Sequence, residues 1–142
     1  GGCNEADVTK YCSKVRNMGA DNIVLKGFVS PLKVPSYLSA ADILVMPHKA
    51  ITDAIYMSPL KMFEYMAARR PIVASDLPVV RDILNESNAI LVKPDSAKAL
   101  MDGIVELLDC PSLAHRLAQR AYQNVRQYSW DNRAKSILGK LG

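Results

Sequence analysis

The order of apolar runs in this chain predicts an α/β fold: an open parallel sheet with helices on both faces and a helical tail at the carboxyl end. Three observations carry that expectation. Four short runs, rich in β-branched and other apolar residues and closed by Gly, Pro or Ser, read as buried parallel strands: 22–27 (NIVLKG), 42–47 (DILVMP), 70–75 (RPIVAS) and 88–94 (NAILVKP). Segments with helical spacing alternate with them, the pattern of right-handed βαβ units. From Ser96 onward the strand-like runs stop and only helical spacing follows.

Taken in order, the chain opens on Gly1-Gly2, which reads as the turn after a strand that this sequence does not contain. The expectation is therefore a piece of a longer protein, because a sheet missing a strand would leave hydrogen-bonding groups open. Helical spacing covers about Asn4 to Met18 and, after the first strand-like run, Lys33 to Ala41. The next helix, 58–69, has strong start signals: Ser58 as N-cap and Pro59 at the first helical position. Pro78 to Asn85 is a shorter helix, with Ser75-Asp76 reading as a loop and N-cap ahead of it. Three helices close the chain, 96–109, 111–128 and one opened by Ser129-Trp130-Asp131, with Trp130 as the anchor of the last. No internal repeat, low-complexity tract or long linker interrupts the pattern.

With 142 residues, 49% hydrophobic and 23% charged, the composition is that of one globular domain folding as a single unit. No apolar run approaches the ~18 residues of a membrane span and the start lacks signal-peptide character, so the cytoplasm is the expected compartment. Cys3, Cys12 and Cys110 form no CxxC pair and read as reduced thiols, with neither a disulfide framework nor a zinc site. The net charge of +4 is mild, and its Lys and Arg are scattered without interleaved aromatics, which argues against nucleic acid as a partner. An anionic ligand, or contact with the inner face of a membrane, is compatible with it. Arg69-Arg70 is a basic step at a helix end, where cations are favoured in any case.

The site candidate comes from a cation in an unusual place. The first turn opened by Ser58-Pro59 carries Lys61, where the helix dipole favours Asp or Glu. In open α/β sheets ligands bind beyond the carboxyl ends of the strands, where helix N-termini present free N–H groups. Lys61 there suits a phosphate, with the amides around Leu60 and Lys61 facing the same way. Leu60, Met62, Phe63, Met66 and Ala67 are assigned to the apolar side of this helix, and Lys61, Glu64 and Tyr65 to the polar side. Glu64, one turn below Lys61, could accept hydrogen bonds from two neighbouring hydroxyls such as those of a ribose. The competing reading is a solvated i, i+3 surface pair in the less favourable orientation. No GxGxxG or GxxxxGK phosphate loop is present. His48, after Pro47 at a strand end, reads as a loop histidine within reach of the same site, and His115 as a surface residue.

The stretches ADILVMP, SPLKMFEYMAARRPIVASDLPVVRDIL, NAILVKPDSAKAL and YSWDNRA resemble, in this order, the carboxyl-terminal half of a family 4 glycosyltransferase. Those are retaining enzymes with the two-domain GT-B architecture, and the resemblance runs from about Gly1 to the end. It implies a Rossmann-like domain, one half of a GT-B fold, that binds a nucleotide-diphosphate sugar donor. A glycan or lipid acceptor would lie on an amino-terminal domain absent from this chain. The family motif pairs two glutamates with seven residues between them: the second falls on Glu64, the ribose ligand, and the first falls on Tyr56. That departure puts in doubt the contact which the first glutamate makes near the donor sugar. The helix-end groups for the distal phosphate and sugar fall on Ser58, Pro59 and Leu60, Pro59 having no N–H to give. Gly27, Phe28 and Val29 correspond to the segment that meets the base, where Phe28 is as easily core as base platform.

The resemblance also implies that the family's diphosphate-clamping Arg and Lys belong to an earlier strand–helix unit that this chain lacks. The last helix would cross towards the partner domain, which gives Trp130 a structural role. No cofactor and no obligatory metal are expected. The resemblance thus implies a donor-binding domain of a retaining sugar transferase, inactive alone. The alternatives are a non-catalytic nucleotide-sugar-binding or assembly module and a GT-B nucleotide-sugar epimerase.

Overall fold

A computed structural model describes residues 5–20, 22–50 and 60–139. The chain forms two compact units, Gly1–Val34 and Pro35–Gly142, where composition leads one to expect a single folding unit.

The first unit holds helix α1 (Glu5–Asn17), whose end turns through Gly19 in the left-handed conformation at φ 63°. The stretch 22–27, expected as a strand, is not one. Its residues are irregular, and Ile23, Val24 and Leu25 are 49%, 70% and 41% exposed. The physical reason is pairing: a strand exists only in a ladder, and among the described residues no strand lies beside this one. Apolar composition marks a segment able to join a sheet; it does not supply the neighbour.

The second unit keeps the other three predicted strands. Helix α2 (Val34–Ala40), all but its first residue in this unit, is followed by β1 (Leu44–Met46), α3 (Leu60–Ala67), β2 (Ile72–Ser75), α4 (Pro78–Arg81) and β3 (Ile90–Val92). Next come α5 (Ala97–Asp109), α6 (Pro111–Val125), a 3₁₀ turn at Arg126–Tyr128 and α7 (Trp130–Leu138). The sheet is parallel in the order β1-β2-β3, with Leu44 opposite Ile72 and Met46 opposite Ala74, then Val73 opposite Ile90 and Ser75 opposite Val92.

Side chains alternate across these strands and so make two cores. Leu44, Met46, Ile72 and Ala74 pack with Met62 and Met66 of α3, with Leu77, Val80 and Leu84 around α4, and with Ala121 of α6. On the opposite face Val73 and Val92 pack with Leu107 of α5 and Leu117 of α6. Helix α6 therefore serves both faces. On the second face α5 lies so close that a Cβ at Gly103 would stand 2.9 Å from Val92 Cγ1 and 3.2 Å from Ile90 Cγ2 and Val73 Cγ1. Only glycine fits there.

Asn88, fully buried, closes the turn ahead of β3. Its Oδ1 accepts from the Asn85 N–H at 2.8 Å and its Nδ2 donates to the Ile83 carbonyl at 3.2 Å. Ser96 caps α5 by accepting from Ala99 N–H, and Ser129 caps α7 by accepting from Asn132 N–H. Helix α4 has no such cap: its N-cap is Leu77, so the capping role expected of Ser75-Asp76 is not realised. Asp76 instead binds Arg81, which also reaches Glu86. Trp130, expected as an anchor, is 80% exposed.

Candidate functional site

The carboxyl ends of β1, β2 and β3 and the first turns of α3 and α5 form the candidate site. The sequence positions α3 by its apolar face. Met62 and Met66 are buried, Phe63 and Tyr65 are half-buried against the same core, and Phe63 also lies against Tyr128 with ring centroids 4.8 Å apart. Burying such side chains contributes roughly 1.5–3 kcal/mol each, far more than any exposed charge on this helix. The burial of the opposite arc therefore decides where Lys61 and Glu64 point.

Leu60 and Ala67 do not join the apolar side as expected: Leu60 is 60% exposed and Ala67 is exposed too. Tyr65, expected on the polar side, is half-buried. At about 100° per residue the solvent arc runs through Ala67, Leu60, Glu64 and Lys61, and Tyr65 lies just beyond its edge, between Lys61 and Met62. The exposed arc thus carries Leu60, Lys61 and Glu64 together, with Lys61 and Glu64 about 60° apart.

Among the described residues neither charge is used in an ion pair: Lys61 and Glu64 pair neither with each other nor with a third group, so the expected alternative of a surface pair is not formed. Their fields are felt nearby. Partial burial and then the Lys61 ammonium push the imidazole of His48, at the end of β1, below its ordinary value of 6.5. Burial and then the Glu64 carboxylate raise the Tyr65 phenol. At the end of β2 the hydrogen bond from Arg81 holds the Asp76 carboxyl low.

Two contacts absent from the sequence reading join the strand ends. His48 N–H donates to Ser75 Oγ at 2.9 Å, and Ala50 N–H donates to Asp95 Oδ2 at 2.9 Å. Asp95 holds φ 57°, a left-handed conformation that Asp tolerates better than most residues. A cavity of about 250 Å³ opens here, lined by His48, Lys49, Ser75, Lys93, Asp95 and Ser96 among others. The KPDS sequence after the last strand, a turn-forming Asp beside a capping Ser, was the available signal for this loop.

Gly27, Phe28 and Val29 belong to the first unit. Gly27 takes φ 62°, Phe28 is 81% exposed rather than core, and Val29 is half-buried. Tyr56, Ser58 and Pro59 lie outside the described residues. His115 is exposed on α6, as expected. Among the described residues no three His, Cys, Asp or Glu side chains converge as they would on a metal ion, and no helix is long and apolar enough to cross a membrane.

Comparisons with known proteins give the family and the fold. The family described as glycosyl transferases group 1 matches residues 1–110. Alpha-D-kanosaminyltransferase of Streptomyces kanamyceticus is 30% identical over 102 residues, covering 71% of this chain and 25% of that protein. Among solved structures, sucrose-phosphate synthase from Thermosynechococcus elongatus superposes with a TM-score of 0.81 at 25% identity over 99% of this chain and 36% of that one. Anabaena HepE, solved in complex with UDP and glucose, superposes with a TM-score of 0.78 at 17% identity over 96% of this chain and 36% of its own. The chain thus spans between a quarter and two fifths of the length of these proteins.

Proposed function

The chain belongs to the group 1 glycosyl transferases, and from that premise we propose that it is the donor-binding domain of a retaining, family 4 enzyme. Such an enzyme moves a sugar from a nucleotide-diphosphate sugar to a glycan, lipid or small acceptor held on a domain outside this chain. The observation that carries the reading is the exposed arc of α3, which presents Lys61 and Glu64, without an ion pair among the described residues, at the carboxyl end of the sheet. The UDP and glucose bound by Anabaena HepE support a nucleotide sugar as the ligand.

In this reading the free N–H groups of the first turn of α3, at Leu60 and Lys61, and the Lys61 ammonium meet the diphosphate. Glu64, one turn further along, accepts from both ribose hydroxyls. The same reading assigns contact with the base to Gly27, Phe28 and Val29, and contact with the distal phosphate and sugar to Ser58, Pro59, Tyr56 and His48. Catalysis by this half is positioning and stabilisation of the nucleoside diphosphate as it leaves, with Lys61 supplying fixed positive charge without an obligatory metal. The 142 residues alone bind the donor weakly and do not turn over.

Glu64→Gln in the full-length protein tests this. Gln keeps one acceptor oxygen and presents an NH₂ in place of the second, so donor binding weakens by about 1.5–3 kcal/mol while the fold survives. With a donor lacking the 2′ and 3′ hydroxyls the substitution costs much less, because the partners are already gone. An equal cost with both donors removes Glu64 from the ribose.

A further inference from the structure

We propose that Ser75 and Asp95 are positioning residues for the donor site: from the ends of two strands they hold the stretch His48–Ala50 and so fix where His48 stands at the carboxyl end of the sheet. The proposal rests on the reading of the α3 end as the donor site. It comes from the two longest-range side-chain hydrogen bonds at this end of the sheet, which span 27 and 45 residues of sequence.

Beyond Met46 the chain has left the ladder, and a loop without such support samples many conformations. Here its backbone is caught twice within three residues, by His48 N–H on Ser75 Oγ and by Ala50 N–H on Asp95 Oδ2. One anchor would leave the stretch free to swing; two, from different strand ends, set its direction.

Both acceptors are themselves fixed. Ser75 is 3% exposed and paired in the sheet opposite Val92. Asp95 lies between β3 and the N-cap of α5, in a left-handed conformation that glycine would adopt without penalty. An aspartate kept where glycine is easier on the backbone is explained by what its carboxylate holds, the Ala50 N–H. The cavity of about 250 Å³ is walled by the tethered stretch on one side and by Ser75 and Asp95 on the others, so it owes its shape to these two bonds.

The test uses the full-length protein, titrated with UDP and the other nucleoside diphosphates, with thermal unfolding measured in parallel. Asp95→Gly removes the carboxylate but suits the backbone, so its Tm stays at or above wild type while affinity for the preferred diphosphate falls about tenfold. Asp95→Asn keeps an acceptor oxygen and tolerates the same φ, so it recovers affinity to within about threefold. Ser75→Ala weakens the same affinity in the same direction. Asp95→Gly binding as tightly as wild type, or Asp95→Asn binding as poorly as Asp95→Gly, overturns the positioning role. Wild-type protein that binds no nucleoside diphosphate overturns the donor-site reading and this inference with it, whereas tight binding by both wild type and Asp95→Gly overturns the inference alone.

Discussion

At the amino ends of β1 and β2 two arginines are committed to the protein, whereas at the carboxyl ends three lysines are not, among the described residues. Arg70 donates from Nε and Nη2 to the Ser39 carbonyl at 3.0 and 2.6 Å, and the Arg69 guanidinium lies 3.7 Å from the centre of the Tyr122 ring. Arg69 also holds the Tyr122 phenol below its ordinary value, through its hydrogen bond and then its charge. Across the sheet Lys49, Lys61 and Lys93 form no ion pair among the described residues. The residue types fit the division: arginine has a rigid fork that grips a carbonyl or stacks on a ring, and lysine is a hydrated point charge that waits for an anion. A sequence that carries Lys61 and Arg69-Arg70 about two turns apart assigns them to binding and to structure by which end of the helix they occupy.

The largest effect that would sharpen this contrast is at Lys61. Lys61→Ala in the full-length protein weakens nucleoside diphosphate binding about tenfold or more, while binding of the nucleoside without phosphates changes little. Titration calorimetry with the two ligands reads the difference, and equal losses would return Lys61 to a structural role. At the other end, Arg70→Ala lowers stability by about 1 kcal/mol in chemical denaturation and leaves diphosphate affinity at its wild-type value. A fall in affinity there would erase the distinction between the ends.

The smallest effect is in pH dependence. The His48 imidazole titrates below 6.5 in the folded chain because of partial burial and Lys61, so the unfolded chain binds the extra proton first as pH falls. The stability this contributes is fully present above 6.5 and is lost as pH drops through the lowered value. Denaturation midpoints followed from pH 7.5 downward should flatten in His48→Gln; an unchanged slope would mean that the His48 imidazole is not shifted on folding.

What could be read from the sequence follows what is local. The runs at 42–47, 70–75 and 88–94 became strands, and the helix starts at Ser96 and Ser129 became caps, because each signal is contained within a few residues. The run at 22–27 failed although its composition is as strand-like as the others, since a ladder needs a neighbour that no composition records. On α3 the charges at Lys61 and Glu64 were placed on the solvent side correctly, yet Leu60 was misplaced. Its apolar side chain suggested burial, but its angle around the helix puts it between Ala67 and Glu64. The roles of Ser75 and Asp95 were out of reach for the opposite reason: their partners at His48 and Ala50 are 27 and 45 residues away.

The close approach of α5 to the sheet has a consequence at the level of the gene. Every missense change of a glycine codon introduces at least a Cβ, and at position 103 that atom meets Val92, Ile90 and Val73 at 2.9–3.2 Å. Codon 103 therefore has no conservative mutational neighbour. Codons 62 and 66 on the other face specify methionines, whose unbranched chains can be exchanged for leucine with modest repacking. Under random mutagenesis the two faces should record different histories, with substitutions accumulating across the α3 core while the α5 face keeps its glycine.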